Sequence, residues 1–214
     1  MVKNINLINT VNLSFELKCL KVLILSYNRS KEIGKVKNDW EEKTFSSHLV
    51  SLMKKCEVAL KYKLTITKEE ELEDEKIDNG LKSPNEANPI DIRFHYKWFN
   101  SRLDYNIEAK NISLSEWKKS NSKKVNASQQ QTEYITKGIE RFLTGHFKDK
   151  NGCMLGYIVN GEIAQILLKI NNKIETQKNK IEIINPTSFI SNLQIFESNH
   201  NERTIKHLFL NYVN

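Results

Sequence analysis

The sequence predicts a mixed α/β domain in which helices cover both faces of a single sheet. Two runs, over 90–96 and 103–110, alternate apolar and polar residues and therefore predict neighbouring strands. Stretches with apolar residues three and four apart occur on either side of these strands and predict amphipathic helices. The resulting order of helix, strand hairpin, helix, strand, helix and strands is typical of this class. A length of 214 residues suits one domain better than two.

The first part of the chain predicts helices that precede the sheet. Residues 1–37 are expected to form a helical extension packed on the core, or a helix followed by a short strand. Their apolar stripe consists of Leu13, Leu17, Leu20 and Ile24. A second helix is predicted from an N-cap at Asp39. Its stripe consists of Phe45, Leu49, Met53, Cys56 and Leu60. The Glu-rich segment 68–88 predicts an exposed acidic loop.

The remaining elements follow the hairpin. A turn near Asn100 and Ser101 separates its two strands. Residues 128–145 predict a helix that stops at Gly145, and a further amphipathic helix is expected over 162–173. Strands are predicted over 153–159, 181–184, 193–196 and 207–213.

The charge of the chain favours a polyanionic partner. With 33 Lys and Arg against 26 Asp and Glu, the formal net charge is +7. Residues 68–78 hold seven acids and two lysines, so the rest of the chain is more basic still. Such an excess suits a nucleic acid. A general bias towards lysine explains it about equally well.

The cysteines and the apolar runs predict a location inside the cell, in the cytoplasm, and no membrane partner. Cys19, Cys56 and Cys153 are odd in number and widely spaced, which gives neither a disulfide framework nor a zinc motif. No run approaches the roughly 18 apolar residues that a membrane helix needs, and the N-terminus lacks the features of a signal peptide.

Three ionisable residues on the hairpin predict a metal site. Glu108 and Lys110 are two residues apart, so their side chains leave the same face of the strand. Asp91 lies on the adjacent strand within cross-strand reach. Two carboxylates together with the Ala109 carbonyl offer the oxygen ligands that Mg²⁺ prefers, and a neighbouring lysine suits the activation of water.

This arrangement resembles the PD-(D/E)XK nuclease superfamily. Its pattern is matched by Pro89-Ile90-Asp91 followed by Glu108-Ala109-Lys110, with one residue between the proline and the aspartate. The resemblance implies a restriction-endonuclease-like mixed sheet and a Mg²⁺-dependent nuclease, with Mn²⁺ as a substitute ion. Asp91, Glu108 and the Ala109 carbonyl would hold the metal, and Lys110 would position the attacking water.

The resemblance extends to two flanking segments. Glu41 and Glu42 open the helix before the hairpin, where the family often places an auxiliary glutamate, and the sequence does not choose between them. Gln130 and Tyr134 match a Gln-X-X-X-Tyr signature on the helix after the catalytic lysine. By resemblance, they would contact the surroundings of the metal or the nucleic-acid backbone.

The function implied is hydrolysis of phosphodiester bonds in DNA, in bacterial defence or DNA processing. The sequence does not decide between DNA and RNA, or between a homodimer and a separate target-recognition subunit. Two alternatives stay open. One is a non-catalytic nucleic-acid-binding module that keeps the restriction-like fold, and the other is a protein-interaction domain whose acidic segment 68–78 faces a basic partner.

Overall fold

The computed structural model describes residues 5–70, 89–98, 101–144, 147, 152–176, 181–187, 195–201 and 203–213. The strands are β1 (Thr65–Glu70), β2 (Ile90–Trp98), β3 (Ser101–Ser113), β4 (Trp117–Lys118), β5 (Lys124–Val125), β6 (Gly152–Asn160), β7 (Asn185–Pro186), β8 (Ile195–His200) and β9 (Arg203–Asn211). The helices are α1 (Ile5–Ile33), α2 (Glu42–Met53), α3 (Glu57–Lys61), α4 (Ala127–Tyr134), α5 (Glu140–Leu143) and α6 (Ile163–Thr176). A π-helical turn, Ile135–Ile139, joins α4 to α5.

Seven strands form one mixed sheet in the order β1-β2-β3-β6-β9-β8-β7. The central pairs β3–β6 and β6–β9 are parallel, and the outer pairs are antiparallel. Strands β4 and β5 form a separate two-stranded hairpin. The predicted mixed α/β class is therefore confirmed.

Two apolar clusters show that helices cover both faces of the sheet. One cluster joins α1, α2 and α3 to alternate residues of the central strands, including Tyr105, Ile107 and Tyr157. The other joins α4, the π turn, α5 and α6 to residues on the opposite face, including Met154 and Ile158. Alternation along β6 places Met154 and Leu155 in different clusters, as a strand buried on both faces requires.

Helix α1 belongs to the first of these clusters. Cys19, Leu20, Val22 and Leu23 are fully buried in it. The chain thus forms one uninterrupted helix over Ile5–Ile33, and the predicted alternative of a helix followed by a strand is wrong. None of the described helices has both the length and the apolar character to cross a membrane.

Several predicted boundaries differ from the structure. The second helix starts at Glu42 with Glu41 as its N-cap, not at Asp39, and ends at Met53. A turn over 54–56 then redirects the chain into α3, so Leu60 leaves the stripe and is 63% exposed. Residues 181–184 are not a strand, and the short strand β7 follows them.

The acidic segment is also shorter than expected, because Lys68–Glu70 belong to strand β1. This strand pairs with β2, from Thr65 opposite His95 to Glu70 opposite Ile90. Because β1 lies at the edge of the sheet, charged side chains are tolerated on it. These charged residues hide the alternation of apolar and polar residues that would have identified the strand in the sequence. The rest of the predicted loop, over 71–88, lies outside the described residues, as does Gly145.

Candidate functional site

Strands β2 and β3 separate at one end of the hairpin, and the candidate site lies where they part. Their ladder runs from Trp98 opposite Ser101 to Ile92 opposite Ile107 and stops there. Strand β3 continues to Ser113, paired with β6 on its other side. Among the described residues, β3 therefore has no partner strand beyond Ile107 on the side of β2. Buried backbone groups on such an edge need other partners.

Side chains of the predicted site supply those partners. The Ala109 N–H donates to Asp91 Oδ2 (2.7 Å), and the Ala109 carbonyl accepts from Lys110 Nζ (2.7 Å). The next N–H that points the same way, that of Asn111, donates to Glu42 Oε2 (3.4 Å). Residues far apart in the chain thus converge on a three-residue length of β3.

The Lys110 ammonium lies at the centre of this convergence. Its Nζ is 2.6 Å from Glu108 Oε1, 3.4 Å from Glu42 Oε1 and 3.8 Å from Asp91 Oδ2. The Ala109 carbonyl completes a set of four oxygens around one nitrogen. We call Glu42, Asp91, Glu108, Lys110 and the Ala109 carbonyl the carboxylate cluster. The structure thus brings together the residues that the sequence assigned to metal binding and water activation, apart from Glu41.

The structure distinguishes the two glutamates that open α2. Glu42 faces the cluster and contacts both Lys110 and the Asn111 N–H. Glu41 turns outward as the N-cap residue and forms an ion pair with Lys119 at 3.2 Å. Of the two candidates, Glu42 is therefore the one positioned as an auxiliary acid.

Glu108 is held by two cations. Its Oε2 accepts from Arg141 Nη1 at 2.5 Å, while Oε1 accepts from Lys110. The Glu108 side chain is only 1% exposed, and a buried carboxylate requires such pairing. Arg141 also donates to the Pro89 carbonyl, which ties α5 to the start of β2. Three carboxylates face two cations here, so the cluster with Arg141 carries a formal charge of −1.

The pKa values of the cluster reflect burial first and the neighbouring charges second. Burial, reinforced by the charge of Glu108, raises the pKa of Asp91 to about 6. Burial also raises the pKa of Glu42. For Lys110 burial acts to lower the pKa, but the charges of Glu42, Glu108 and Asp91 outweigh it and raise the pKa. Additional positive charge at this position would therefore relieve the carboxylates.

A small cavity of about 140 Å³ opens beside the cluster. Its lining includes Glu42, Lys110, Lys119, Gln130 and Glu133. Gln130 accepts hydrogen bonds from Ser113 Oγ and Trp117 Nε1, both at 2.9 Å. The predicted glutamine thus lies next to the cluster, where it joins α4 to the end of β3 and to the β4–β5 hairpin.

The predicted contact of Tyr134 with a nucleic-acid backbone does not fit its position. Its side chain is fully buried in the second apolar cluster, and its hydroxyl is hydrogen-bonded to His207 Nδ1 at 2.9 Å. A residue without solvent contact cannot touch a nucleic-acid backbone, so Tyr134 is a core residue. His207 is also hydrogen-bonded to Ser198 Oγ, which satisfies both of its ring nitrogens.

The donor chemistry of the cluster fits a divalent cation, although Lys110 occupies its centre. Three carboxylates and a carbonyl are the oxygen ligands that Mg²⁺ uses in proteins. Over the described part of the chain, however, no three His, Cys, Asp or Glu residues are grouped so as to hold a metal ion. Burial is the main cause of the raised pKa values of Asp91 and Glu42, and a neighbouring carboxylate adds to each. Lys110 Nζ lies among the oxygens that would bind the ion. A bound ion would therefore require the ammonium to move aside.

Sequence reasoning missed Arg141 and Asn111 as members of the site. Glu133, Lys137 and Arg141 repeat every four residues, a pattern typical of a solvated helix face. The π turn, Ile135–Ile139, contains Lys137 and precedes Arg141, whose guanidinium pairs with Glu108. Asn111 is buried and donates to the Trp40 carbonyl (2.9 Å), which holds the start of α2 against β3. In the sequence, only its position one residue after Lys110 indicated that Asn111 could belong to the site.

Comparison of the chain with protein-family models, with curated proteins and with solved structures finds no match.

Proposed function

We propose that the chain is a metal-dependent nuclease that hydrolyses phosphodiester bonds in DNA. The observation that supports it is the convergence of Asp91, Glu108 and Glu42 with the Ala109 carbonyl around Lys110 Nζ. These groups are separated by up to 68 positions in the chain. They match, in type and in chain order, the acid, acid and lysine pattern of the PD-(D/E)XK nucleases that the sequence resembles.

Asp91, Glu108, Glu42 and the Ala109 carbonyl would hold the ion. When bound, Mg²⁺ supplies stabilisation of the negative charge that develops on the phosphate. Lys110, which already donates to two members of the oxygen set, would hold and orient the attacking water through its ammonium protons. Arg141 keeps Glu108 in place, and Gln130 supports the end of β3 beside the cavity.

The biological setting stays part of the proposal. Bacterial defence or DNA processing, and a restriction-endonuclease-like fold, rest on the resemblance of the sequence. The basic excess of the chain suits DNA as a partner, in the cytoplasm, with a second copy or another subunit supplying target recognition.

The experiment is a plasmid nicking assay with Mg²⁺, Mn²⁺ and EDTA. The wild type is expected to nick supercoiled DNA with either metal and not with EDTA. Lys110→Met and Glu108→Gln, which preserve size, should each lose activity by about 100-fold or more. Glu108→Gln is preferred to Glu108→Ala because, although both remove the charge that pairs with Arg141, glutamine keeps the side-chain volume and one acceptor oxygen.

Neighbouring glutamates provide a matched control. Glu42→Gln should lower nicking strongly, whereas Glu41→Gln, which changes only an outward ion pair with Lys119, should retain most of it. Equal activity of both variants, or full activity of Lys110→Met, would contradict the assignment. Both substitutions are expected to keep the fold, so the circular dichroism spectra of the two variants should match that of the wild type.

A non-catalytic nucleic-acid-binding module is the second candidate. It is favoured by the full pairing of Glu108 with Lys110 and Arg141, since the same contacts would stabilise the edge of β3 without any chemistry. This version predicts salt-sensitive DNA retention with no turnover in Mg²⁺. The protein-interaction alternative depends on a segment whose residues 71–78 lie outside the described part of the chain.

A further inference from the structure

A second polar site lies at the other end of the β2–β3 hairpin. An open cavity of about 450 Å³ is lined there by residues of β1, β2 and β3 and of the turn before β1. Its lining consists of Lys63, Thr65, His95, Tyr96, Lys97, Ser101 and Arg102. Three of these side chains are cationic, three carry hydroxyls, and none of the described lining residues is acidic. Such a set is suited to phosphate oxygens, which accept hydrogen bonds from ammonium, guanidinium and hydroxyl groups.

A partly buried aspartate orders two residues of this lining. Asp104 is 11% exposed and accepts from His95 Nδ1 at 2.5 Å and from Arg102 Nε at 2.7 Å. Arg93 also donates to it, at 3.0 Å. The aspartate thus holds the imidazole and the Arg102 guanidinium in fixed orientations, while Arg102 itself remains 52% exposed. Preorganised cations of this kind lose less freedom on binding an anion than mobile lysines do.

The cavity is aligned with the carboxylate cluster along one strand face. Arg102, Asp104, Asn106 and Glu108 are alternate residues of β3, opposite the face that carries Tyr105 and Ile107 into the first apolar cluster. Six residues of strand separate Arg102 from Glu108, which corresponds to about 20 Å. Each strand of a B-form duplex rises about 3.4 Å per nucleotide along the duplex axis, so a duplex whose axis is parallel to β3 spans this distance in about six nucleotides.

We infer that the cavity at Lys63, Lys97 and Arg102 is a phosphate-binding site for a DNA strand, about six nucleotides from the bond held at the carboxylate cluster. The inference rests on the proposed function for the location of that bond, but the binding itself does not depend on cleavage. The site positions the substrate along the hairpin and fixes a minimum length of DNA on one side of the cluster.

The test measures binding in EDTA, so that cleavage plays no part. A triple variant, Lys63→Asn, Lys97→Gln and Arg102→Gln, removes the three cations. Asparagine is chosen at position 63 because that residue has φ 52°, which asparagine tolerates. The matched control is Lys21→Gln, Lys31→Gln and Lys35→Gln, three exposed lysines on and just after α1. Thermal melts followed by circular dichroism confirm that both proteins fold.

The readout is the slope of log Kd against log salt concentration for a fluorescent 20-base-pair duplex. Each lost phosphate contact reduces this slope by about 0.9, so the triple variant should lose about 2 to 3 while the control variant keeps the wild-type slope. Equal slopes for the triple variant and the wild type overturn the inference. Binding of dAMP is measured on the same proteins. If the triple variant loses dAMP binding while its DNA slope is unchanged, the inference is overturned as well, since the cavity would then serve a free nucleotide.

The outcome is separable from that of the nicking assay. A reduced slope in a protein that never nicks DNA supports the phosphate site and removes the nuclease. Normal nicking with an unchanged slope supports the nuclease and removes the phosphate site.

Discussion

Lys110 and Arg141 both pair with the carboxylate of Glu108, and these two ion pairs are expected to contribute to the stability of the site. Glu108 is buried, and each of its oxygens has its own cation. Breaking a buried pair costs more than forming it contributes, because the remaining charge stays out of water. The residue that sequence reasoning overlooked is thus expected to matter for stability as much as the residues it identified.

Arg141→Met is expected to lower the free energy of unfolding by about 2 to 4 kcal/mol, since Glu108 then relies on Lys110 alone. Urea denaturation measures the change. Arg29→Gln is the control, because the exposed Arg29–Glu32 pair should contribute less than about 0.5 kcal/mol. Changes of similar size in the two variants would show that Arg141 is an ordinary surface residue.

His207 makes stability depend on pH. Burial, with smaller effects from His200 and Lys206, lowers its pKa to about 3. The unfolded chain, with a histidine pKa of about 6.5, binds the proton first when the pH falls. The contribution of His207 is therefore complete above about pH 6.5 and is lost towards pH 3, at up to about 1.4 kcal/mol per pH unit.

His207→Gln removes this titration while keeping a donor and an acceptor for Tyr134 and Ser198. Between pH 6.5 and pH 4, the free energy of unfolding of the wild type should fall more steeply than that of the variant. Urea denaturation at several pH values gives both curves. Parallel curves would mean that the histidine is charged in the folded protein.

At the scale of elements, the hairpin was predictable and its surroundings were not. Strict alternation identifies β2 and β3 and directs Asp91, Glu108 and Lys110 to the polar side. Alternation cannot reveal where two strands part, which decides that Asp91 meets the Ala109 N–H. Strand β1 was missed because its charged residues lie at an edge, and the π turn was missed because helical spacing is nearly the same with it.

The start of β6 depends on a residue without a side chain. A Cβ on Gly152 would lie 2.5 Å from the Asn106 carbonyl oxygen of β3 and 2.6 Å from the Phe142 ring. Gly152→Ala should therefore lower the melting temperature and cost about 1 to 3 kcal/mol or more, because backbone cannot yield as a side chain can. Calorimetry measures this loss.

Gly34→Ala is the comparison for that prediction. Nothing lies within 4 Å of its Cβ position, and its φ of 65° imposes only a conformational cost of about 1 to 2 kcal/mol. A Gly152 variant that is more stable than the Gly34 variant would show that β3 and β6 separate readily at this end.

At the scale of the whole molecule, the predicted N-terminal helical extension contributes buried side chains to the core. Together with α2 and α3, helix α1 covers one face of the sheet, and Cys19, Leu20, Val22 and Leu23 of α1 are fully buried there. The sequence showed the stripe that makes this contact but not how deeply it is buried, because Leu13 and Leu17, which belong to the same pattern, are 46% and 37% exposed.

Leu20→Ala is expected to cost about 2 to 5 kcal/mol of unfolding free energy, and Leu17→Ala less than about 1 kcal/mol. A fragment of residues 38–214 should show no cooperative thermal transition. Circular dichroism melts test all three proteins. A fragment that melts cooperatively would establish that the core is complete without α1.

The parting of β2 from β3 has a consequence for handling the protein. Past Ile107, the backbone of β3 on that side is covered by carboxylates and an ammonium and, in the described residues, not by a strand. Uncovered strand edges recruit strands from other molecules, and charged groups beside them are gatekeepers against such self-association. Alanine variants that remove these charged side chains uncover the edge of β3 and are therefore expected to precipitate on storage. Light scattering should accompany every measurement made on them.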